Sequence, residues 1–174
     1  AGFNWEIVVV DDASRDDTVK QVGTLQGAIS GLRLIRHEVN QGKGAAVRSG
    51  LKAAHGDAVL FCDADGATPI DELGKLLIHL ENGAALVVGS RRIPGSQVLR
   101  KQIWFRRHLS DGYQWIGRRM MGLPVLDITC GFKLLSRQAV DLLISRMRIN
   151  RWSFDAELFT IALLHRLDLA EVPI

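Results

Sequence analysis

Asp63 and Asp65 stand two residues apart, just after the apolar run Ala58-Val59-Leu60-Phe61, with Gly66 and Pro69 following. Two carboxylates this close repel one another and suit a cation between them. Oxygen ligands of this kind favour Mg²⁺ or Mn²⁺, and Mg²⁺ commonly takes one or two carboxylates plus substrate phosphates. The same residues also suit an acidic turn that caps the next helix. Asp11 and Asp12 close an earlier run, Glu6-Ile7-Val8-Val9-Val10. There Asp12 could accept hydrogen bonds from a base or ribose, as acidic residues do at such positions, or simply make a cap contact. A third group, Asn40-Gln41-Gly42-Lys43-Gly44-Ala45, lets a phosphate approach the backbone, with Lys43 and a helix N-terminus supplying charge. It lacks the G-x-x-x-x-G-K-S/T spacing of a P-loop, and no G-x-G-x-x-G occurs.

Short apolar strands alternating with helical stripes must position these groups. Strands are expected at Glu6–Val10, Leu32–Arg36, Asp57–Phe61 and Ala84–Val88, with helices at Asp17–Gln26, Ala45–Ala54 and Pro69–Leu80 between them. Ser14 or Asp16 can cap the first helix. This β-α-β-α-β-α-β order with short connections marks a parallel sheet with helices on its faces. Chemistry in such a sheet gathers outside the carboxyl ends of the strands, where the three clusters fall. Further on, a long helical pattern runs from about Leu99 to Met121. A strand over Asp127–Leu135 follows, then helices over Arg137–Met147 and from Arg151 to about Arg166, and a strand from Asp168. No repeat or linker divides the chain, so residues 1–174 read as one domain. It starts almost on its most apolar strand and stops within another, so a preceding β-α unit is expected beyond it.

At 174 residues, 47% hydrophobic and a net charge of +3, the chain can bury a sizeable core. Its charge is uneven. Arg91, Arg92, Arg100, Lys101, Arg106, Arg107, Arg118 and Arg119 face a single acid, Asp111, across that segment. Such asymmetry points to an anionic partner: nucleic acid, an acidic membrane or a phosphorylated substrate. No nucleic-acid recognition motif accompanies it. Ile103, Trp104, Leu109, Trp115, Ile116 and Met120 mix with these arginines, which suits either a helix lying on anionic headgroups or one burying its tryptophans. No run is long enough to span a membrane. Cys62 and Cys130 lack metal-ligand spacing and read as buried free thiols.

Phe61–Ala67 superficially resembles the D-x-D-G-T start of haloacid-dehalogenase-type phosphatases. That motif belongs on a first strand with Thr after Gly, whereas here Ala67 follows Gly66 and the pair Asp11-Asp12 comes earlier. A more specific resemblance emerges from the clusters together. Val10-Asp11-Asp12-Ala13-Ser14-Arg15-Asp16-Asp17-Thr18, Asn40-Gln41-Gly42-Lys43-Gly44-Ala45-Ala46 and Asp63-Ala64-Asp65-Gly66-Ala67-Thr68-Pro69 resemble family 2 inverting glycosyltransferases of the GT-A fold. Asp127-Ile128-Thr129-Cys130-Gly131-Phe132-Lys133-Leu134 and Arg151-Trp152-Ser153-Phe154-Asp155-Ala156-Glu157-Leu158 resemble its dolichyl-phosphate β-glucosyltransferase branch and the polyprenyl-phosphate relatives of bacteria and archaea.

The resemblance implies a Rossmann-like, mostly parallel α/β sheet with helices on both faces. It implies that Asp11 and Asp12 contact the base or ribose of a nucleotide-sugar donor and that Lys43 approaches the nucleotide. Asp63 and Asp65 hold Mg²⁺ or Mn²⁺ on the diphosphate. Arg91 and Arg92, with Arg100 in the same basic segment, meet the phosphate of a polyprenyl acceptor. Asp127 orients the reaction on the acceptor side, and Trp152, Asp155 and Glu157 pack beneath the site. A lipid monophosphate is already anionic, so cationic positioning matters more than a strong base. The implied activity is transfer of glucose from UDP-glucose with inversion, at the cytoplasmic face of a membrane. Alternatives are a GDP-mannose-dependent mannosyltransferase and a non-catalytic binding module. Two departures stand out. The family's first strand, with a Pro-x-Tyr-Asn-Glu type motif, is absent, and Ala67 occupies a position where mannosyltransferases often carry Gln.

Overall fold

Strand β4 (Leu86–Ser90) is the centre of the molecule, with all five residues buried. Its Leu-Val-Val start suits a strand covered on both faces, where burying each such side chain contributes about 1.5–3 kcal/mol. The computed structural model describes residues 4–96, 112, 115–120 and 122–174. On either side of β4 lie β5 (Phe132–Ser136), antiparallel to it, and β6 (Leu169–Pro173), parallel to it. Beyond β5, and antiparallel to it, is β3 (Ala58–Cys62), giving the order β3-β5-β4-β6. Strands β3, β4 and β6 therefore run one way and β5 alone reverses. A second, two-stranded sheet pairs β1 (Ile7–Asp11) with β2 (Leu32–Arg36) in parallel.

The strands are covered by α1 (Thr18–Gln26), α2 (Lys43–Ala53), α3 (Leu73–Glu81), α4 (Arg137–Arg146) and α5 (Phe154–Leu164). Helix α3 packs on β4, β5 and β6 through the fully buried Leu76. Helix α2 spans both sheets, touching β1 and β3, and buries Val47 and Leu51. Helix α4 lies on β3 and β5 and is capped by Ser136, whose hydroxyl accepts the Ala139 N–H at 3.2 Å. Helix α5 buries residues around most of its circumference, including Phe154, Leu158 and Phe159, as a core helix does.

The alternating order expected up to Ser90 is present. The strand expected over Asp127–Leu135 instead starts at Phe132, because Ile128 and Thr129 form a turn. Gly131 then meets the end of β3, accepting the Asp63 N–H through its carbonyl at 2.9 Å. Helix α5 begins at Phe154 rather than Arg151. Cys130 is buried, but Cys62, at the last position of β3, is exposed and not a buried thiol. Most of the long helix expected over 99–121 lies outside the described residues, with 112 and 115–120 helical. There Trp115, Ile116 and Met120 are exposed, so Trp115 does not enter the core. Trp104 lies outside the described residues. No described helix is long and apolar enough to cross a membrane.

Candidate active site

The loop after β3 holds Asp63 and Asp65 in different ways. Lys43, first residue of α2, sets its ammonium across the Asp63 carboxylate, 2.8 Å from Oδ1 and 3.0 Å from Oδ2. The Asp63 carboxylate lies against Gly131, where a Cβ would overlap it in its present position. Asp65 is exposed, and its Oδ1 accepts the Ala67 N–H at 3.0 Å, closing a local turn. Neither carboxylate caps the following helix, whose N-terminal turn carries no side-chain cap. A small cleft of about 80 Å³ lies between these residues and Thr68, Arg91, Thr129 and Gly131. A larger concavity of about 710 Å³ lies between α2 and α4, but its lining of Arg48, Lys52, Asp141 and Arg148 includes none of the strand-end carboxylates. Asp63, Asp65 and Arg91 all line the smaller cleft.

The residues present fit a divalent ion. Among the described residues no three His, Cys, Asp or Glu side chains converge to hold a metal alone. Asp63 and Asp65 would supply two carboxylates to such an ion, with water and phosphate oxygens completing its shell, as Mg²⁺ and Mn²⁺ commonly allow. The ammonium resting on Asp63 stands where a cation is favoured.

At the end of β1 the carboxylates are already engaged. Asp12 accepts the N–H of Gln41 at 2.8 Å and of Gly42 at 2.7 Å, while His37 Nδ1 lies 2.7 Å from its Oδ1. Burial pushes the Asp12 carboxyl up, but these partners outweigh it and hold it below the usual carboxylate range. His37 Nε2 in turn lies 2.9 Å from the Ser49 hydroxyl. Asp12 thus clamps the loop that launches α2. Asp11 is held differently. It is buried and turned back to accept the Ser14 N–H at 3.2 Å, with Arg36 Nε 3.7 Å away. Ala13, next after Asp12, sits at φ 61°, a left-handed conformation that only a constrained turn holds for a residue with a side chain.

On the opposite side, Asp127 is fully buried and receives Arg91 from three directions. The backbone N–H donates at 3.1 Å, Nε at 2.8 Å and Nη2 at 3.0 Å. Burial raises the Asp127 carboxyl, yet the Arg91 bonds and charge bring it below its ordinary value. Asp127 is thereby tied to Arg91 and fixes the direction of its guanidinium. Glu171 of β6 fixes this turn by accepting the N–H groups of Leu126 and Asp127 at 2.9–3.0 Å. Burial pushes the Cys130 thiol up to about 11, and the Asp127 charge adds to that.

Beneath the cleft, Lys133 is fully buried on β5 and donates to Asp155 Oδ1 at 2.6 Å and to the Cys130 carbonyl. Its ammonium lies 5.6 Å from the ring centres of both Phe61 and Phe159, a cation–π setting. Asp155 thus packs beneath the site, as expected, but is paired and buried rather than open to substrate. Burial raises its carboxyl against the opposing pull of Lys133. Glu157 accepts the N–H groups of Arg148 and Ile149 at 2.8 and 2.9 Å, and Asn150 then accepts the Ala45 N–H at 3.1 Å. Trp152 does not pack beneath the site. It is 84% exposed, because the turn before α5 gives the core position to Phe154. Arg92 is exposed at the end of β4, and Arg100 lies outside the described residues.

Sequence reasoning passed over His37, Glu171 and the pairing of Lys133. The one available signal for Lys133 was a lone lysine inside an apolar strand, Phe-Lys-Leu-Leu, which must find a counter-charge if buried.

Comparison with known proteins points one way. Residues 1–143 match the family model described as Glycosyl transferase family 2. A dolichyl-phosphate beta-glucosyltransferase of Trichomonas vaginalis, ALG5C, is 36% identical over 99% of this chain and 52% of its own length. The dolichyl-phosphate beta-glucosyltransferase of Homo sapiens is 32% identical over 99% of this chain and 56% of its own. The chain spans about half the length of the curated relatives it matches. Among solved structures, glucosyl-3-phosphoglycerate synthase of Mycobacterium tuberculosis, in complex with Mn²⁺, UDP-glucose and glycerol 3-phosphate, superimposes with a TM-score of 0.66. That alignment covers 95% of this chain and 57% of the other at 24% identity, which establishes the shared GT-A fold.

Proposed function

We propose that this chain, which belongs to glycosyl transferase family 2, forms the catalytic core of an inverting transferase that moves glucose from UDP-glucose to a dolichyl or polyprenyl phosphate. The observation that carries this reading is the cleft itself. Two carboxylates suited to a divalent ion share it with Arg91, and Lys43 stands on one of them. The names of the curated relatives support the lipid-phosphate acceptor, and the complex of the mycobacterial synthase supports a uridine donor with Mn²⁺.

Asp63 and Asp65 would hold Mg²⁺ or Mn²⁺, which when bound supplies Lewis-acid stabilisation of the departing diphosphate. The chain's own residues do the rest. Lys43, whose ammonium now rests on Asp63, would turn to the same diphosphate. Arg91, locked by Asp127, offers a fixed positive charge to the acceptor phosphate. An acceptor phosphate oxygen, already ionised, attacks the anomeric carbon. The bond from that carbon to the UDP oxygen breaks, and its electron pair leaves with UDP. No proton is moved, so the commitment of Asp127 and Asp155 to Arg91 and Lys133 costs the reaction nothing. Attack opposite the leaving group turns an α-linked donor into a β-linked product. Exposed Trp115, Ile116 and Met120 beside Arg118 and Arg119 suit peripheral contact with an anionic membrane surface, which we place on the cytoplasmic side.

Transfer of labelled glucose from UDP-glucose to polyprenyl phosphate by the full-length protein tests this. Asp63→Ala and Asp65→Ala should each reduce metal-dependent turnover by about 100-fold or more. Near-normal turnover in both variants, or preference for GDP-mannose, would contradict it.

A further inference from the structure

Lys43 is built as a fixed pivot with a movable arm. Its backbone is held on both sides: the Gly42 N–H donates to Asp12 at 2.7 Å, and the Ala45 N–H donates to Asn150 at 3.1 Å. A Cβ on Gly44 would strike the Ile149 carbonyl and the Phe154 side chain, so this turn of α2 is packed closely against the segment before α5. The side chain is different. It is 38% exposed, and its ammonium touches Asp63, itself 31% exposed, through the two carboxylate oxygens that a metal ion would use. The rings of Phe61 and Phe154, 5.7 and 6.0 Å from Nζ, line its path. The neighbouring acids are engaged elsewhere, Asp65 with the Ala67 N–H and Asp155 with Lys133.

We propose that Lys43 is a resident counter-cation for Asp63, which yields that carboxylate to a divalent ion when a nucleotide diphosphate gives the ammonium phosphate oxygens instead. The proposal rests on the reading of the cleft as a metal–nucleotide site. An ammonium and a divalent ion compete for the same two oxygens and repel one another, so metal alone loosens Lys43 from Asp63 with no new anion to meet. When the diphosphate arrives with the metal, Lys43 exchanges one anion for another, and its positive charge is never left unpaired. Metal and nucleotide therefore strengthen each other's binding, and Lys43 sets the size of that coupling. The arrangement also keeps Asp63 neutralised in the empty site, where Asp65 would otherwise repel it.

Electron paramagnetic resonance of free Mn²⁺, titrated with and without UDP, tests this without reference to turnover. In the wild type, UDP should raise Mn²⁺ affinity by about 10- to 100-fold. Lys43→Met should bind Mn²⁺ alone about tenfold more tightly than wild type and lose most of the UDP enhancement. Lys43→Arg, which keeps a cation on the arm, should behave like wild type, and circular-dichroism melts should show all three folded. Wild-type coupling that persists in Lys43→Met, or Mn²⁺ binding alone that is no tighter, would overturn the counter-cation role and leave the metal–nucleotide site standing. Absence of Mn²⁺ binding by the wild type, with UDP or without it, would overturn both.

Discussion

Asp12 and Asp63 follow the ends of β1 and β3, and each meets the start of α2, yet they are bound in opposite ways. Asp12 is held by two backbone N–H groups and a histidine, partners that cannot leave without unmaking the loop. Asp63 is held by one lysine side chain, which can leave by turning about its own bonds. A carboxylate satisfied by backbone is committed to structure, and one satisfied by a flexible side chain remains available to a ligand. Asp127 falls with Asp12. Its partner is a side chain, but one that grips it through Nε, Nη2 and the backbone N–H together.

If that division is right, the committed carboxylates should reveal themselves in stability and the available ones in binding. The largest stability effect should come from Arg91→Ala, which strands a fully buried charge on Asp127 and should cost roughly 3 kcal/mol or more in urea unfolding. Asp12→Asn should follow, at about 2 kcal/mol, because one of the N–H groups of Gln41 and Gly42 loses its acceptor.

The same variant should change the acid limb of stability. Asp12 has its carboxyl depressed in the folded state, so its contribution is present above the unfolded value near pH 4 and is lost as pH falls through the lower folded value. Asp12→Asn should shallow that limb without abolishing it, because Asp127 is depressed likewise. Asp155, raised by burial, acts with the opposite sign: its charged form is the costly one, and acidification relieves it. An unchanged acid limb in Asp12→Asn would place Asp12 among the uncommitted groups.

Gly131→Ala should have the smallest effect on stability, under about 1 kcal/mol, since the added methyl need only push the part-exposed Asp63 carboxylate aside. Its Mn²⁺ affinity should nevertheless drop measurably in a titration. A large loss of stability with intact metal binding would reverse the assignment of Asp63.

Much of this was legible in the residues. The three loops at strand ends are local patterns of apolar run, acid and glycine, and they recur in the structure where the pattern put them. The reversed strand β5 was not legible, because direction depends on which edge Phe132–Ser136 joins, a choice made against β3 and β4 far away in the chain. Nor were the partners of the carboxylates. His37 lies 25 residues from Asp12, and Lys133 reads as one more position in an apolar strand until Asp155 is brought to it. Trp152 misled for a related reason. The resemblance placed it beneath the site, but Phe154 two residues later is the aromatic that is buried there.

The central claim is that Asp63, joined by Asp65, binds a nucleotide diphosphate through a divalent ion. Calorimetric titration with UDP, UDP-glucose and GDP-mannose, with and without Mn²⁺, tests it most directly. The account predicts binding of the uridine ligands only when Mn²⁺ is present, and loss of that binding in Asp63→Asn. Uridine binding that ignores Mn²⁺, or that survives Asp63→Asn, would contradict it.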